Sequence, residues 1–267
     1  MRTQRHVIKY DGSRETWFYL IPIGDIHLGN AGCDLSGLKK MVDWVKNKEN
    51  TFWIGMGDYV DCINYTDNRF DPSTIDERYL HNLGNAVPLQ IQDVIDILLP
   101  IADKCIGLHR GNHEEKIRLK YHYDVMYEMW RSMKAPLLDD TALSRLSFTD
   151  GNHNSAFEIF STHGIVGGRR GGAKINRLED MISYVDADVY IMGHSHIKAT
   201  ETKSTLYLDN QGNLKCKKRV LGVTGCFLKG YTENSSSYVE KWNYPPTDMG
   251  VLKIMFNPRR HDVHISE

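Results

Sequence analysis

The sequence predicts an α/β fold in which two mixed β-sheets pack face to face as a β-sandwich, with α-helices flanking them. Three observations carry this. In the first half, short apolar runs alternate with segments of helical spacing. In the second half, strand-like runs dominate and are punctuated by turn sequences. The chain has 267 residues, 41% of them hydrophobic, which is enough to enclose one large core. Alternating elements followed by strand-rich structure suit a sheet-on-sheet core with helices outside, and a single domain over residues 1–267 is expected.

The elements follow in order. Trp17 to Ile23 (WFYLIPI) is an apolar, aromatic run ending at Gly24 and reads as a buried strand. Leu35 to Lys48 places Leu38, Met41, Val42 and Val45 at helical spacing. Thr51 to Met56 and Cys105 to Leu108 read as further strands, with helices over Ile91 to Ala102 and Lys116 to Lys134. Leu143 to Phe148 and Ala156 to Ser161 flank the turn Asp150-Gly151-Asn152. A helix over Lys174 to Val185 precedes a strand over Val189 to Met192. Thr205 to Leu208, Lys215 to Val220 and Gly222 to Phe227 suggest hairpins, and Gly250 to Phe256 with Asp262 to Ile265 completes the strands. Residues 65–88 and 231–248 are polar and irregular, and are expected to form loops or small caps near the site.

Bulk properties point to no special class and leave room for a local basic patch. A formal net charge of -1 is not the strongly basic balance of a nucleic-acid or membrane-surface binder. No apolar run approaches roughly 18 residues, so no membrane span is expected. The start, MRTQRHVIKYDG, lacks the apolar centre of a signal peptide. Cys33, Cys62, Cys105, Cys216 and Cys226 are odd in number and form no CxxC pair, which fits reduced thiols and a cytoplasmic protein.

The chemistry gathers at strand ends. Asp25 and His27 follow WFYLIPIG, Asp58 and Asp61 follow TFWIGMG, and Asn112 and His113 follow CIGLHRG. His163 follows AFEIFST, and His194 and His196 follow VYIMG. Strands sharing a sheet bring such tips together, and α/β sites form at strand C-termini. Imidazole, carboxylate and amide oxygen suit divalent ions such as Mn²⁺, Fe²⁺ and Zn²⁺. The set contains no cysteine, which argues against a structural zinc site. Gly24, Gly57, Gly111 and Gly193 stand directly before donor groups, permitting tight turns and close backbone approach. A lone Asp-x-His is common and weak, a lone Gly-Asn-His-Glu is a moderate signal, and His163 alone would more often be structural. The ordered set is the strong signal.

Asp25-x-His27, Gly57-Asp58-x-x-Asp61, Gly111-Asn112-His113-Glu114, His163-Gly164 and Gly193-His194-Ser195-His196 resemble the five motifs of the calcineurin-like metallophosphoesterases over roughly residues 20 to 200. The resemblance implies a metallophosphoesterase-like fold and two divalent ions, manganese first, with iron, zinc or nickel as alternatives. One ion would be held by Asp25, His27 and His196, the other by Asn112, His163 and His194. Asp58 would bridge them, keeping the cations about 3.5–4 Å apart. The implied reaction is in-line attack on phosphorus by a hydroxide bridging the metals. His113 would protonate the leaving alkoxide or stabilise the charged transition state, with Asp61 orienting its ring. A loop-capping role is the plainer alternative for Asp61, and Glu114 reads equally as a solvated or supporting carboxylate.

The expected partner is a phosphoester, a phosphodiester of a nucleotide or nucleic acid. Asp25-Ile26-His27-Leu28-Gly29 is similar to the first motif of double-strand-break repair nucleases, whereas Gly193-His194-Ser195-His196 is similar to small phosphodiesterases. Protein Ser/Thr phosphatases carry arginine where this chain has Cys62. Arg169 and Arg170, in a glycine-rich loop before a helix, are candidate substrate contacts or a solvated loop. Lys215, Lys217, Lys218 and Arg219 form a basic run of the kind that is usually solvated. A phosphomonoesterase of the same superfamily and a non-catalytic scaffold are the alternatives. The presence of the full donor set and His113 weighs against the scaffold.

Overall fold

Residues 1–63, 67, 70–164, 171–232, 237–241 and 243–267 are described in a computed structural model. In chain order the strands are β1 (Arg2–Lys9), β2 (Phe18–Ile23), β3 (Thr51–Gly55), β4 (Cys105–His109), β5 (Leu137–Asp139), β6 (Thr141–Thr149), β7 (Asn154–Thr162), β8 (Val189–Met192), β9 (Ala199–Leu208), β10 (Leu214–Val223), β11 (Lys253–Asn257) and β12 (Asp262–Ser266). The helices are α1 (Leu35–Asn47), α2 (Glu77–Leu80), α3 (Ala86–Leu98), α4 (Asn112–Tyr121), α5 (Val125–Met133), α6 (Gly171–Met181) and α7 (Tyr238–Lys241). One six-stranded sheet runs β1-β6-β7-β8-β10-β9 and the other β12-β11-β2-β3-β4-β5.

Alternation along the central strands builds the sandwich. On β2, Phe18 and Leu20 join the layer between the sheets, while Ile21 and Ile23 join the layer under the helices. The inter-sheet layer holds Ile54, Met56 and Ile106 from one sheet against Leu146, Phe148, Phe157, Ile159 and Ile191 from the other. The rings of Phe18 and Phe148 meet at 4.7 Å. Helices α1, α3 and α5 cover the outer face of the second sheet through Leu38, Val42, Val94, Leu98, Met126 and Met129. Leu178 of α6 packs on Phe160, Tyr190 and Leu221 of the first. This is the two-sheet α/β architecture that the sequence predicts.

Several boundaries differ from expectation, each for a local reason. Strand β1 escapes the apolar-run signal because it is a largely exposed edge strand, held by eight parallel pairings to β6. The single helix expected over Lys116 to Lys134 is two. His122 adopts a left-handed φ of 54° and ends α4, and the Asp124 side chain caps α5 by accepting from Met126 N at 3.0 Å. The helix expected over Ile91 to Ala102 starts at Ala86 and gives way at Leu98 to a 3₁₀ segment, Leu99–Lys104, that carries Pro100. Residues 65–88 are more ordered than a loop where described. Ile75, Tyr79 and Ala86 form a small core of their own, and Lys241 of α7 pairs with Asp71, joining this segment to 231–248. Among the described residues, no helix is long and apolar enough to cross a membrane.

His109, on β4, ties the sheets together. Its Nδ1–H donates to Asp139 O at 2.8 Å, and its Nε2 accepts from Ser161 Oγ on β7 at 2.8 Å. Burial pushes its pKa down from 6.5 to about 4, against the opposing pull of the Asp139 carbonyl. Because the folded-state pKa is depressed, the unfolded chain takes up the proton first as pH falls. Stability is therefore lost between pH 6.5 and 4, by about 3 kcal/mol at the lower end. Denaturant titrations of the parent and His109→Gln across that window should show the parent losing this extra stability. Parallel pH profiles would remove the assignment.

Candidate metal centre

The donor residues lie where strands end. Strands β2, β3 and β4 of one sheet lead into Asp25 and His27, Asp58 and Asp61, and Asn112 and His113. Strands β7 and β8 of the other lead into His163, and into His194 and His196. The tips thus converge from both sheets rather than from one, along the edge where the two sheets open. Main-chain bonds lock the loops to each other: Asp25 N to Gly57 O at 2.9 Å, His27 N to Asp58 O at 3.0 Å and Leu28 N to Tyr59 O at 3.1 Å. A Cβ at Gly111 would stand 2.1 Å from Asp58 N, so the β3 and β4 loops touch backbone to backbone only because that residue is glycine.

Three groups of candidate donors result among the described residues, all buried except the half-buried His194, each within 4.8 Å: Asp25, His27 and His196; Asp58, His163 and His194; and His27, Asp58 and His113. In the first, His27 Nε2 and His196 Nε2 are 3.1 Å apart and His196 Nε2 is 3.3 Å from Asp25 Oδ1. In the second, His163 Nε2 lies 3.1 Å from His194 Nδ1 and 3.2 Å from Asn112 Oδ1. Asp58 Oδ2 stands between the two, 3.4 Å from His163 Nε2 and 3.9 Å from His27 Nε2. Its Oδ1 accepts from His113 N at 2.9 Å, pinning the start of α4. His163 Nδ1 donates to Met56 O at 2.6 Å, which turns Nε2 toward the cluster.

The electrostatics call for cations. Burial would raise the pKa of Asp25, but the nearby imidazoles of His196 and His163 hold it below the usual carboxylate range. Burial likewise opposes ionisation of Asp58, and His163 and His113 drive its pKa well down. Burial disfavours charge on His163, yet Asp58 and Asp25 lift its pKa to about 10. Burial lowers His27, and with the charge of His163 takes His194 to about 4, so both are neutral donors at pH 7. Asp25 Oδ1 is buried with no hydrogen-bond partner among the described residues. Two ionised carboxylates, an orphaned carboxylate oxygen and neutral imidazoles facing one another fit divalent metal ions.

Two further residues, Asp61 and Glu114, are placed by contacts that the sequence does not show. The Asp61 carboxylate lies nearer His27 than His113: Oδ1 is 3.2 Å from His27 Nδ1 and 3.8 Å from His113 Nδ1. His113 Nδ1–H instead donates to the main-chain carbonyl of Asp61 at 2.5 Å. Glu114, left open between roles, is 1% exposed and organises the β3 loop. Its Oε1 accepts from Tyr59 N at 2.8 Å and Val60 N at 3.3 Å, and its Oε2 from Asp58 N at 2.9 Å and Gly111 N at 2.8 Å. The signal that could have found it is its place three residues after Gly111, the reciprocal half of a capping box. Arg169 and Arg170 lie outside the described residues. The basic run on β10 is taken up in ion pairs, with Lys217 on Asp186 at 2.9 Å, Arg219 on Asp186 at 2.9 Å and Lys218 on Asp262 at 3.4 Å.

The Calcineurin-like phosphoesterase family profile matches residues 20–198, more than half of the chain and the stretch that carries every donor. The chain belongs to the calcineurin-like phosphoesterase family. No curated protein sequence matches it. Among solved structures, Haemophilus influenzae NAD nucleotidase aligns at 10% identity with a TM-score of 0.44, covering 94% of this chain and 49% of that one. The chain thus spans about half the length of that relative. A metallophosphoesterase from Sphaerobacter thermophilus aligns at 11% identity with a TM-score of 0.37, covering 94% and 89%. The matched stretch carries the clustered candidate metal donors.

Glu114 gives this calcineurin-like phosphoesterase a direct test of how the donors are held. In Glu114→Gln one acceptor oxygen becomes an NH₂ group, which strands buried N–H donors at about 1–3 kcal/mol each. Denaturant melts should show a loss of about 3 kcal/mol, with weaker metal retention. Unchanged stability and metal content would rule out the organising role.

Proposed function

We propose that the chain is a dinuclear-metal-dependent phosphodiesterase that hydrolyses a phosphodiester of a nucleotide or nucleic acid. The observation carrying this reading is the position of Asp58 Oδ2 between the two donor groups, with His113 fixed beside it. Asp25, His27 and His196 would hold one ion and Asn112, His163 and His194 the other, with Asp58 shared. When bound, the ions neutralise phosphoryl oxygens and lower the pKa of water enough to supply a nucleophile near neutral pH. Mn²⁺ is the first choice that the family resemblance implies, with iron, zinc or nickel as alternatives, and imidazole and oxygen donors without thiolate accommodate any of them.

The chain's own residues do the rest. The Asp61 carbonyl takes the Nδ1–H of His113 and fixes the ring, so that Nε2 is the atom that delivers a proton to the leaving alkoxide. The Asp61 carboxylate orients His27, with Asn30 Nδ2 donating to its other oxygen at 3.4 Å. Buried Cys62 supplies no cation at the position where the protein phosphatases carry arginine, which favours a singly charged diester over a dianionic monoester. Five free cysteines support a reducing cytoplasm as the proposed compartment.

With Mn²⁺, bis(p-nitrophenyl) phosphate should be cleaved in preference to the monoester, and a panel of cyclic nucleotides, dinucleotides, DNA and RNA should contain the better substrates. A strong preference for the monoester would establish the phosphomonoesterase alternative instead. His113→Ala should lower kcat by about 10²–10⁴-fold while leaving metal content unchanged. Undiminished turnover in that variant would sink the acid role of His113.

A further inference from the structure

Lys174 sits in the first turn of α6, half-buried, with its Nζ donating to Ser195 O at 3.1 Å. Ser195 lies between His194 and His196, so the ammonium stands one residue from two donor histidines. Several other lysines pair with carboxylates, Lys116 with Asp67, Lys217 with Asp186 and Lys218 with Asp262, and Lys104 donates to three main-chain carbonyls, Val45 O, Lys46 O and Lys48 O. Among the described residues, Lys174 has no carboxylate partner. Burial lowers its pKa, and the field of Asp25 only partly offsets this. In the same loop the Ser195 hydroxyl is buried without a hydrogen-bond partner among the described residues. A half-buried ammonium without a counter-charge is costly to maintain, so it needs a reason.

Neutralising the buried carboxylates does not supply one. Two divalent ions on Asp25 and Asp58 would leave the centre positive, and a further cation beside it would be repelled until an anion arrives. We propose that Lys174 is a substrate-binding residue that holds a non-bridging phosphoryl oxygen of the substrate on the His194–His196 side of the centre. This rests on the reading of the centre as a site of phosphoester cleavage. One lysine adds one positive charge, which matches the single negative charge of a phosphodiester. An ammonium is a point-charge phosphate binder, without the bidentate fork of arginine.

The test uses inorganic phosphate as the probe, titrated calorimetrically into the Mn²⁺-loaded full chain. Lys174→Met should bind phosphate about tenfold more weakly, with the thermal midpoint and metal content of the parent. Lys174→Arg should recover most of the affinity. In turnover, Lys174→Met should raise KM more than it lowers kcat. The proposal is overturned if the parent binds no phosphate, if Lys174→Met binds it as the parent does, or if that variant loses metal or stability, which marks a structural lysine. If no phosphoester is turned over by the parent but phosphate affinity still falls in Lys174→Met, the lysine assignment stands and the phosphodiesterase reading fails.

Discussion

Asp25 and Asp58 are buried carboxylates held ionised at the junction of two sheets, and their charge is the constraint to which the surrounding structure answers. Carboxylates removed from water need positive charge close by. Without ions the chain supplies one strong response, a proton on His163 that a bound ion would displace, beside His27 and His194, which burial keeps neutral. The remaining demand would be met by the proposed cations. The same demand explains the main-chain N–H groups aimed at these side chains: His113 N on Asp58, and His194 N on Asp25 Oδ2 at 2.8 Å.

Holding such side chains in place strains the backbone locally. Asp25, His27, Asp58, His194 and His196 all adopt left-handed φ between 47° and 66°. Conformations of this kind cost about 1–3 kcal/mol each and persist only where surrounding structure dictates them. Here the dictating structure is visible. The sheets bring five strand ends to one edge, the β2 and β3 loops are zipped by main-chain bonds, and Glu114 gathers four N–H groups from the β3 and β4 loops. A stable sandwich with its phenylalanine core is what allows the strained rim to exist.

Parts of this were legible in the sequence for physical reasons. Central strands buried on both faces read as apolar runs, so β2, β3, β4 and β8 stand out, whereas the polar edge strand β1 is defined by backbone pairing that leaves little compositional trace. Metal-ligating side chains come from a few residue types, so Asp25, His27, Asp58, His163, His194 and His196 stand out as candidate donors by kind and by position after a strand. What lies between residues distant in sequence did not. The bond from Glu114 to Tyr59, the transfer of the Asp61 carboxylate from His113 to His27, and the approach of Lys174 to Ser195 depend on the folded distance between loops. The left-handed backbone was equally hidden, although Asp and His are among the residues that tolerate it best.

The central claim is that Asp58 joins two ion sites into one centre, and metal stoichiometry tests it most directly. The chain loaded with Mn²⁺, freed of excess ion by gel filtration and measured by elemental analysis, should carry two ions. Asp58→Asn should lose affinity at both sites together, while a fold check by circular dichroism shows the parent's spectrum. A parent that binds a single ion, or an Asp58→Asn variant that keeps both, would contradict the account.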